Sequence, residues 1–213
     1  MNELFDVEAN RKAQKWSSRA LFVRVLWGFA HPFFRFSPRL LWGWRNMMLR
    51  LFGAKIGAGV RIFPNVQIII PWNLNIGDHC AVGKGAILFA LGEVTIGPRT
   101  TVSQGAHVCG GTHDWRDPTM PLIKSPVTIG ADVWVAADAF VGPDVVIGEG
   151  AILGARAVVT KSVPAGSIMA GNPAKQIGRQ RSRSNLRPGR LRTTYTGKMM
   201  CHSRRSGSAD RFR

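Results

Sequence analysis

The sequence predicts an all-β solenoid in which short parallel strands coil around one narrow core. An aliphatic residue recurs, mostly every six positions, from residue 56 to residue 159, and a small or β-branched residue usually stands four positions later. A helix would need apolar spacings of three and four, and a half-exposed strand would need alternation, so neither explains a period of six. The aliphatic positions are Ile56, Ile62, Ile68, Ile76, Val82, Leu88, Ile96, Val102, Val108, Ile129, Val135, Val141, Ile147, Leu153 and Val159.

The corners between the repeats are expected to be tight. A glycine directly follows eight of the aliphatic residues, and we expect these glycines to adopt positive φ as the chain turns. Two spacings are eight residues long, from Ile68 to Ile76 and from Leu88 to Ile96. They predict small bulged corners at the same place in successive coils.

A long loop interrupts the repeat. Val108 and Ile129 are separated by twenty-one residues where six were due, so residues 109–125 must leave the solenoid. The loop contains His113, two aspartates and Trp115, which argues against a featureless linker. Long loops on a rigid scaffold are commonly functional, and this one is the first candidate for a site.

Both ends of the chain differ in composition from the repeat. Residues 1–52 join aromatic residues to arginines and predict a helical segment, but 20–34 is too short and too interrupted by charge and proline to span a bilayer. Residues 179–213 lack the repeat and predict a disordered basic tail, with most of the net charge of +17 located beyond residue 175. We therefore expect no nucleic-acid partner except nonspecifically through the tail.

Three scattered cysteines indicate a reducing cytoplasm rather than a disulfide framework.

Three strings place the repeat in a narrower class: SQGAHVCGGTHDWRDPTMPLI, IGADVWVAADAFVGPDVVIGEGAILGARAVVTKSVPAGSI and MAGNPAKQIG. They resemble the acetyltransferases of colanic-acid and related exopolysaccharide biosynthesis within the hexapeptide-repeat transferases, over residues 38–178. The resemblance implies a left-handed parallel β-helix at 53–178, acting as a homotrimer with sites between adjacent subunits. It further implies acetyl-CoA as donor, a hydroxyl of a surface-polysaccharide sugar as acceptor, and no metal.

The same resemblance assigns catalytic roles. His113 matches the general base, a role suited to histidine because its ordinary pKa is about 6.5. Asp114 either orients a neighbouring group or is an exposed loop carboxylate. The backbone N–H of Ala137 matches a donor to the oxyanion of the tetrahedral intermediate. Neither Cys80 nor Cys109 has the partners of an activated nucleophile, so direct attack is expected.

Four further residues match the donor or acceptor channel of that family. Trp134 matches an aromatic beside the channel, although packing would explain it equally well. Thr160, Lys161 and Lys175 match the end that binds the CoA phosphates, although each lysine also fits a solvated surface charge. Ala90 replaces an asparagine common in the family, which leaves the identity of the acceptor open.

Two other functions stay open from the residues alone. A zinc enzyme of the carbonic-anhydrase type on the same fold would draw ligands from histidines such as His79, His107 and His113. A non-catalytic module would bind membranes or nucleic acid through the basic tail. Separately, the aromatic and basic residues 20–50 fit either a cap on the open end of the solenoid or a peripheral contact with the inner membrane.

Overall fold

The computed structural model describes residues 5–180, and within them it is a parallel β-solenoid of about six turns preceded by three helices. The predicted solenoid and the predicted helical segment are both confirmed. The expectation of a disordered basic tail concerns residues that lie almost entirely outside the described range.

Three sheets form the walls of the solenoid, and each full turn gives one short strand to each wall. Wall A contains β1 (Lys55–Ile56), β4 (Leu74–Ile76), β7 (Val94–Ile96), β12 (Val127–Ile129) and β15 (Val145–Ile147). Wall B contains β2 (Arg61–Ile62), β5 (Ala81–Val82), β8 (Thr101–Val102), β13 (Trp134–Val135), β16 (Ile152–Leu153), β18 (Ser167–Ala170) and the antiparallel β19 (Lys175–Arg179). Wall C contains β3 (Gln67–Ile68), β6 (Ile87–Phe89), β9 (His107–Cys109), β14 (Phe140–Val141) and β17 (Val158–Val159). A separate antiparallel hairpin is formed by β10 (Gly111–His113) and β11 (Leu122–Lys124).

The aliphatic repeat is the register of this solenoid. In wall A, for example, Ile56 pairs with Ile76 and Ile76 with Ile96, one turn apart at each step. All fifteen aliphatic positions are buried, and so are the small residues that follow them by four. Most hexapeptides therefore contribute two residues to the narrow core; nearly all of these are apolar, and the polar one, Thr100, donates its hydroxyl to the Gly130 carbonyl at 2.7 Å.

The expected role of the corner glycines was wrong. Positive φ occurs two residues later, for example at Gly59 and Asp132, and not at the glycines that follow the aliphatic residues. Those glycines are needed because the next turn approaches closely. A Cβ on Gly77 would lie 2.6 Å from the backbone nitrogen of Pro98, and one on Gly148 would lie 2.3 Å from that of Ala165.

The long spacings and the long loop all fall at one corner, where the chain passes from wall C to wall A; we call it the C/A edge. The spacing Ile68 to Ile76 holds a 3₁₀ turn (Pro71–Asn73), and Leu88 to Ile96 forms the corner above it. The loop after Val108 leaves at the same edge one turn later. The predicted bulged corners are thus confirmed, and they stack beneath the loop.

The helices are α1 (Val7–Lys12), α2 (Ser18–Arg35) and α3 (Trp42–Leu51), and α2 and α3 pack on the first turn. Phe34 and Leu49 are completely buried there. Arg45 is also buried, and its Nε donates to the Ile62 carbonyl at 2.7 Å; desolvation lowers the pKa of its guanidinium. These contacts cover the end of the core, as a solenoid cap does. No helix within residues 5–180 combines the length and apolarity needed to cross a membrane.

Candidate active site

The hairpin of β10 and β11 is held at its root by the turn beneath it. The Gly110 carbonyl accepts hydrogen bonds from the N–H groups of Gly92 at 2.6 Å and Ser125 at 3.1 Å. A Cβ on Gly110 would stand only 3.1 Å from the carbonyl oxygens of Phe89 and Gly92. The glycine pair at residues 110 and 111 therefore lets the chain leave the solenoid without disturbing the turn below.

His113 is the last residue of β10 and is exposed. It stands next to the hairpin tip, residues 114–121, which joins β10 to β11. Its Nδ1 lies 2.7 Å from the carbonyl oxygen of Met120, on the other side of the tip. A carbonyl can only accept, so in the neutral ring Nδ1 carries the proton and Nε2 keeps a free lone pair. This is the tautomer that a general base needs.

The two aspartates of the hairpin tip accept hydrogen bonds from other residues of the tip. The Asp117 carboxylate accepts from both the N–H and the hydroxyl of Thr119, each at 2.8 Å, which lowers the pKa of Asp117. The Asp114 carboxylate accepts from the N–H of Arg116 at 3.0 Å. The group that holds the His113 ring is thus the Met120 carbonyl, which no sequence motif indicated.

Ala137 lies at the corner between walls B and C. Within residues 5–180 its N–H is paired with no acceptor, as a donor to an incoming oxyanion must be. The N–H groups of Lys84, Gln104 and Ala155, which stand at the same corner in other turns, are also unpaired with any described residue. The free donor is therefore a property of this corner, and the resemblance alone singles out Ala137.

Trp134 lies on the outer face of wall B and is 50% exposed. Its Nε1 donates to the Ser103 hydroxyl at 2.9 Å, which fixes the ring against the turn below. The ring is therefore not a core residue. It presents a rigid, partly open aromatic surface on the outside of the solenoid.

Thr160, Lys161 and Lys175 are brought together. They line a cavity of about 440 Å³ near the carboxyl-terminal end of the solenoid, with Met169 and Gln176 among its other lining residues. Among the lining residues within 5–180, only the two lysines carry charged side chains. Two cations without a described carboxylate beside them favour a phosphate-bearing ligand.

The remaining site residues lie on different sides of the solenoid. His113 lies in the loop that leaves the solenoid at the C/A edge. Ala137 lies at the corner between walls B and C, and Trp134 lies on wall B. Wall B is the wall opposite the C/A edge. The topology therefore separates His113 from Trp134 within one chain.

The three histidines considered as zinc ligands, His79, His107 and His113, also lie in different parts of the fold. His107 lies on wall C between Phe89 and Phe140, and burial lowers the pKa of its ring. His79 lies at a corner between walls A and B. Within the described part of the chain, no group of three or more His, Cys, Asp or Glu side chains could hold a metal ion.

Cys80 and Ala90 occupy packing positions. Cys80 is buried in a small inward slot, and burial raises the pKa of its thiol. Ala90 is completely buried at the C/A edge, where the Asn73 amide donates to its carbonyl at 3.0 Å. The side chain at residue 90 is thus directed into the corner of this chain.

Part of the solenoid matches a known family model, and several known proteins are similar to much of the chain. Residues 126–161 match the family model described as bacterial transferase hexapeptide (six repeats). Escherichia coli (strain K12) WcaF, named a colanic acid biosynthesis acetyltransferase, is 44% identical over 158 residues, which cover 74% of this chain and 87% of that protein. Nodulation protein L of Rhizobium meliloti is 31% identical, covering 62% of this chain and 74% of its own length. A galactoside acetyltransferase solved in complex with coenzyme A has a TM-score of 0.74 at 20% identity, covering 86% of this chain and 94% of its own; it supports the fold alone.

Proposed function

The chain belongs to the bacterial hexapeptide-repeat transferase family, and on that premise we propose that it transfers an acetyl group from acetyl-CoA to a hydroxyl of a sugar in surface-polysaccharide biosynthesis. The observation that carries the proposal is the His113 ring, held through Nδ1 so that Nε2 is free to accept a proton. The similarity to a colanic acid biosynthesis acetyltransferase supports the reaction class and the class of acceptor. Release of CoA that depends on an added sugar tests it.

The chemistry follows from the free Nε2 of His113. Nε2 removes the proton of the acceptor hydroxyl as its oxygen attacks the thioester carbonyl carbon. The resulting oxyanion is stabilised by the N–H of Ala137, a donor with no other described partner. When the intermediate collapses, the C–S bond breaks and the proton passes from Nε2 to the departing sulfur, which leaves the ester and free CoA.

We further propose that the working enzyme is a homotrimer whose sites lie between subunits. One chain places His113 at the C/A edge and Trp134 on the opposite wall, so a site that uses both needs two chains. The hairpin of one subunit then faces wall B and the adjoining corner, with Trp134 and Ala137, of the next. Mixing inactive His113→Ala and Ala137→Pro subunits tests this, because restored activity requires sites built from two chains.

The donor end is proposed to be the cavity beside Thr160. We expect Lys161→Ala combined with Lys175→Ala to raise KM for acetyl-CoA about tenfold and to change kcat little, because two charge-assisted contacts to phosphate are lost far from the reacting carbonyl. Steady-state kinetics at two salt concentrations measure the effect. Lys55→Ala, an exposed lysine in the first turn, is the matched control. An unchanged KM would place the CoA phosphates elsewhere.

We also propose that the enzyme works in the cytoplasm and touches the inner membrane through α2. Residues 9–77 contain eleven lysines and arginines and no aspartate or glutamate. The outward face of α2 is an apolar stripe at helical spacing that continues past its end, while Trp27 and Phe34 on the other face are buried. The exposed members of the stripe are Phe22, Val25, Leu26, Phe29, Phe33 and Phe36. An apolar stripe in a purely basic segment fits the surface of an anionic bilayer.

For this contact we expect Phe29→Ser combined with Phe33→Ser to lower binding to anionic phospholipid vesicles at least tenfold, since each exposed phenylalanine contributes about 1.5–3 kcal/mol when buried. Vesicle cosedimentation measures it, with Ile177→Ser as a matched exposed apolar residue on β19. Unchanged vesicle binding would refute the contact. A change in oligomer size instead would show that a second copy covers the stripe.

A further inference from the structure

The amino-terminal segment contacts the hairpin tip, which contains the Met120 carbonyl that accepts the hydrogen bond from His113. Three consecutive carbonyls of the tip receive hydrogen bonds from residues 6–10. The N–H of Asp6 donates to the Pro118 carbonyl at 2.7 Å. The side-chain amide of Asn10 donates to the next two carbonyls, to Thr119 at 2.5 Å and to Met120 at 2.6 Å.

The orientation of the Asn10 amide is fixed by its own partners. Its Oδ1 accepts from the Lys15 ammonium at 2.6 Å, so its NH₂ group must face the two carbonyls. The same stretch is tied to the other strand of the hairpin, because the Lys124 ammonium lies 4.0 Å from the centre of the Trp16 ring. The amide is therefore held on both sides rather than free to rotate.

The Met120 carbonyl is the shared acceptor. It receives the Asn10 amide at 2.6 Å and the His113 Nδ1 at 2.7 Å, so both of its lone pairs are in use. Met120 itself has φ of 44°, a left-handed backbone conformation that a non-glycine residue rarely adopts and that persists only when neighbouring contacts enforce it. The hydrogen bond from Asn10 is one of the contacts that hold this carbonyl in place.

We propose that Asn10 is a positioning residue for the acetyl transfer: by fixing the Met120 carbonyl it keeps His113 in the Nδ1-protonated tautomer with Nε2 directed toward the acceptor. The inference rests on the proposed role of His113 as the base. Asn10 lies on α1, so a helix about 110 residues from Met120 in the sequence takes part in the reaction.

The test uses Asn10→Asp, which keeps the shape of the side chain but replaces its two donors with a carboxylate that the carbonyls repel. We expect kcat to fall about 10- to 100-fold, which is part of the factor of about 10²–10⁴ that a positioned base contributes, with KM for acetyl-CoA unchanged. Asn10→Gln, which keeps the donors, is expected to recover part of the rate. Glu8→Gln is the matched control, because it exchanges a carboxylate for an amide on the same helix, at an exposed side chain that accepts from the Lys12 ammonium.

A second readout does not depend on activity. Solid-state ¹⁵N spectra of histidine-labelled protein, with the His113 signal assigned by His113→Gln, distinguish the two ring tautomers. We expect Nδ1-protonated His113 in the natural protein and a mixture in Asn10→Asp. Wild-type kcat and an unchanged tautomer in Asn10→Asp would overturn the role of Asn10. A changed tautomer with unchanged kcat would instead refute His113 as the base.

Discussion

His113→Ala is expected to lower kcat at least about 10²-fold while leaving the affinity for acetyl-CoA within a few fold. The substitution removes the only ring at the hairpin tip whose Nε2 is free, and a positioned general base contributes about 10²–10⁴ to the rate. The cavity with Thr160, Lys161 and Lys175 is untouched. Single-turnover rates and calorimetric titration with acetyl-CoA separate the two quantities.

The matched control is His79→Asn, because His79 is an exposed histidine at a corner with positive φ, a conformation that asparagine tolerates. We expect wild-type kcat from that variant. Unchanged turnover in His113→Ala would remove His113 from the mechanism and with it the role assigned to Asn10.

Val141→Asp or Leu153→Asp is expected to give insoluble protein. Both side chains are completely buried in the solenoid and stack on apolar residues of the turns above and below. An unpaired carboxylate in such a core costs several kcal/mol against a total stability of about 5–15 kcal/mol. Soluble yield and circular dichroism measure the outcome.

Val146→Asp is the control for this pair, because Val146 lies on the same solenoid but is exposed on the outer face of wall A. It is expected to remain folded. A soluble, native-sized protein from Val141→Asp would show that the core is not organised by the aliphatic repeat.

The walls of the solenoid were predictable because one simple pattern determines them. A buried aliphatic residue every six positions allows a single register, and Ile56, Ile76 and Ile96 stack as that pattern requires. The reason for the corner glycines was not predictable from one turn alone. The clash that excludes a Cβ at Gly77 comes from Pro98 in the following turn.

Of the candidate site, only the proposed base could be predicted from the sequence. The loop and His113 stand out in the sequence, but the carbonyl that fixes the ring belongs to Met120, and a backbone acceptor leaves no mark on residue type. The contact from Asn10 joins positions 110 residues apart, which no local pattern encodes. The cluster of Thr160, Lys161 and Lys175 was suggested by resemblance, and the fold gathers it around one cavity.

Acetyl transfer to a sugar hydroxyl is tested most directly by incubating the protein with acetyl-CoA and a panel of sugars and nucleotide sugars and analysing the products by mass spectrometry and NMR. We expect a sugar carrying one new acetyl ester on a hydroxyl, formed in step with CoA release and lost in His113→Ala. Acetyl groups found only on an amine, or an acetylated product formed equally well by His113→Ala, would contradict it.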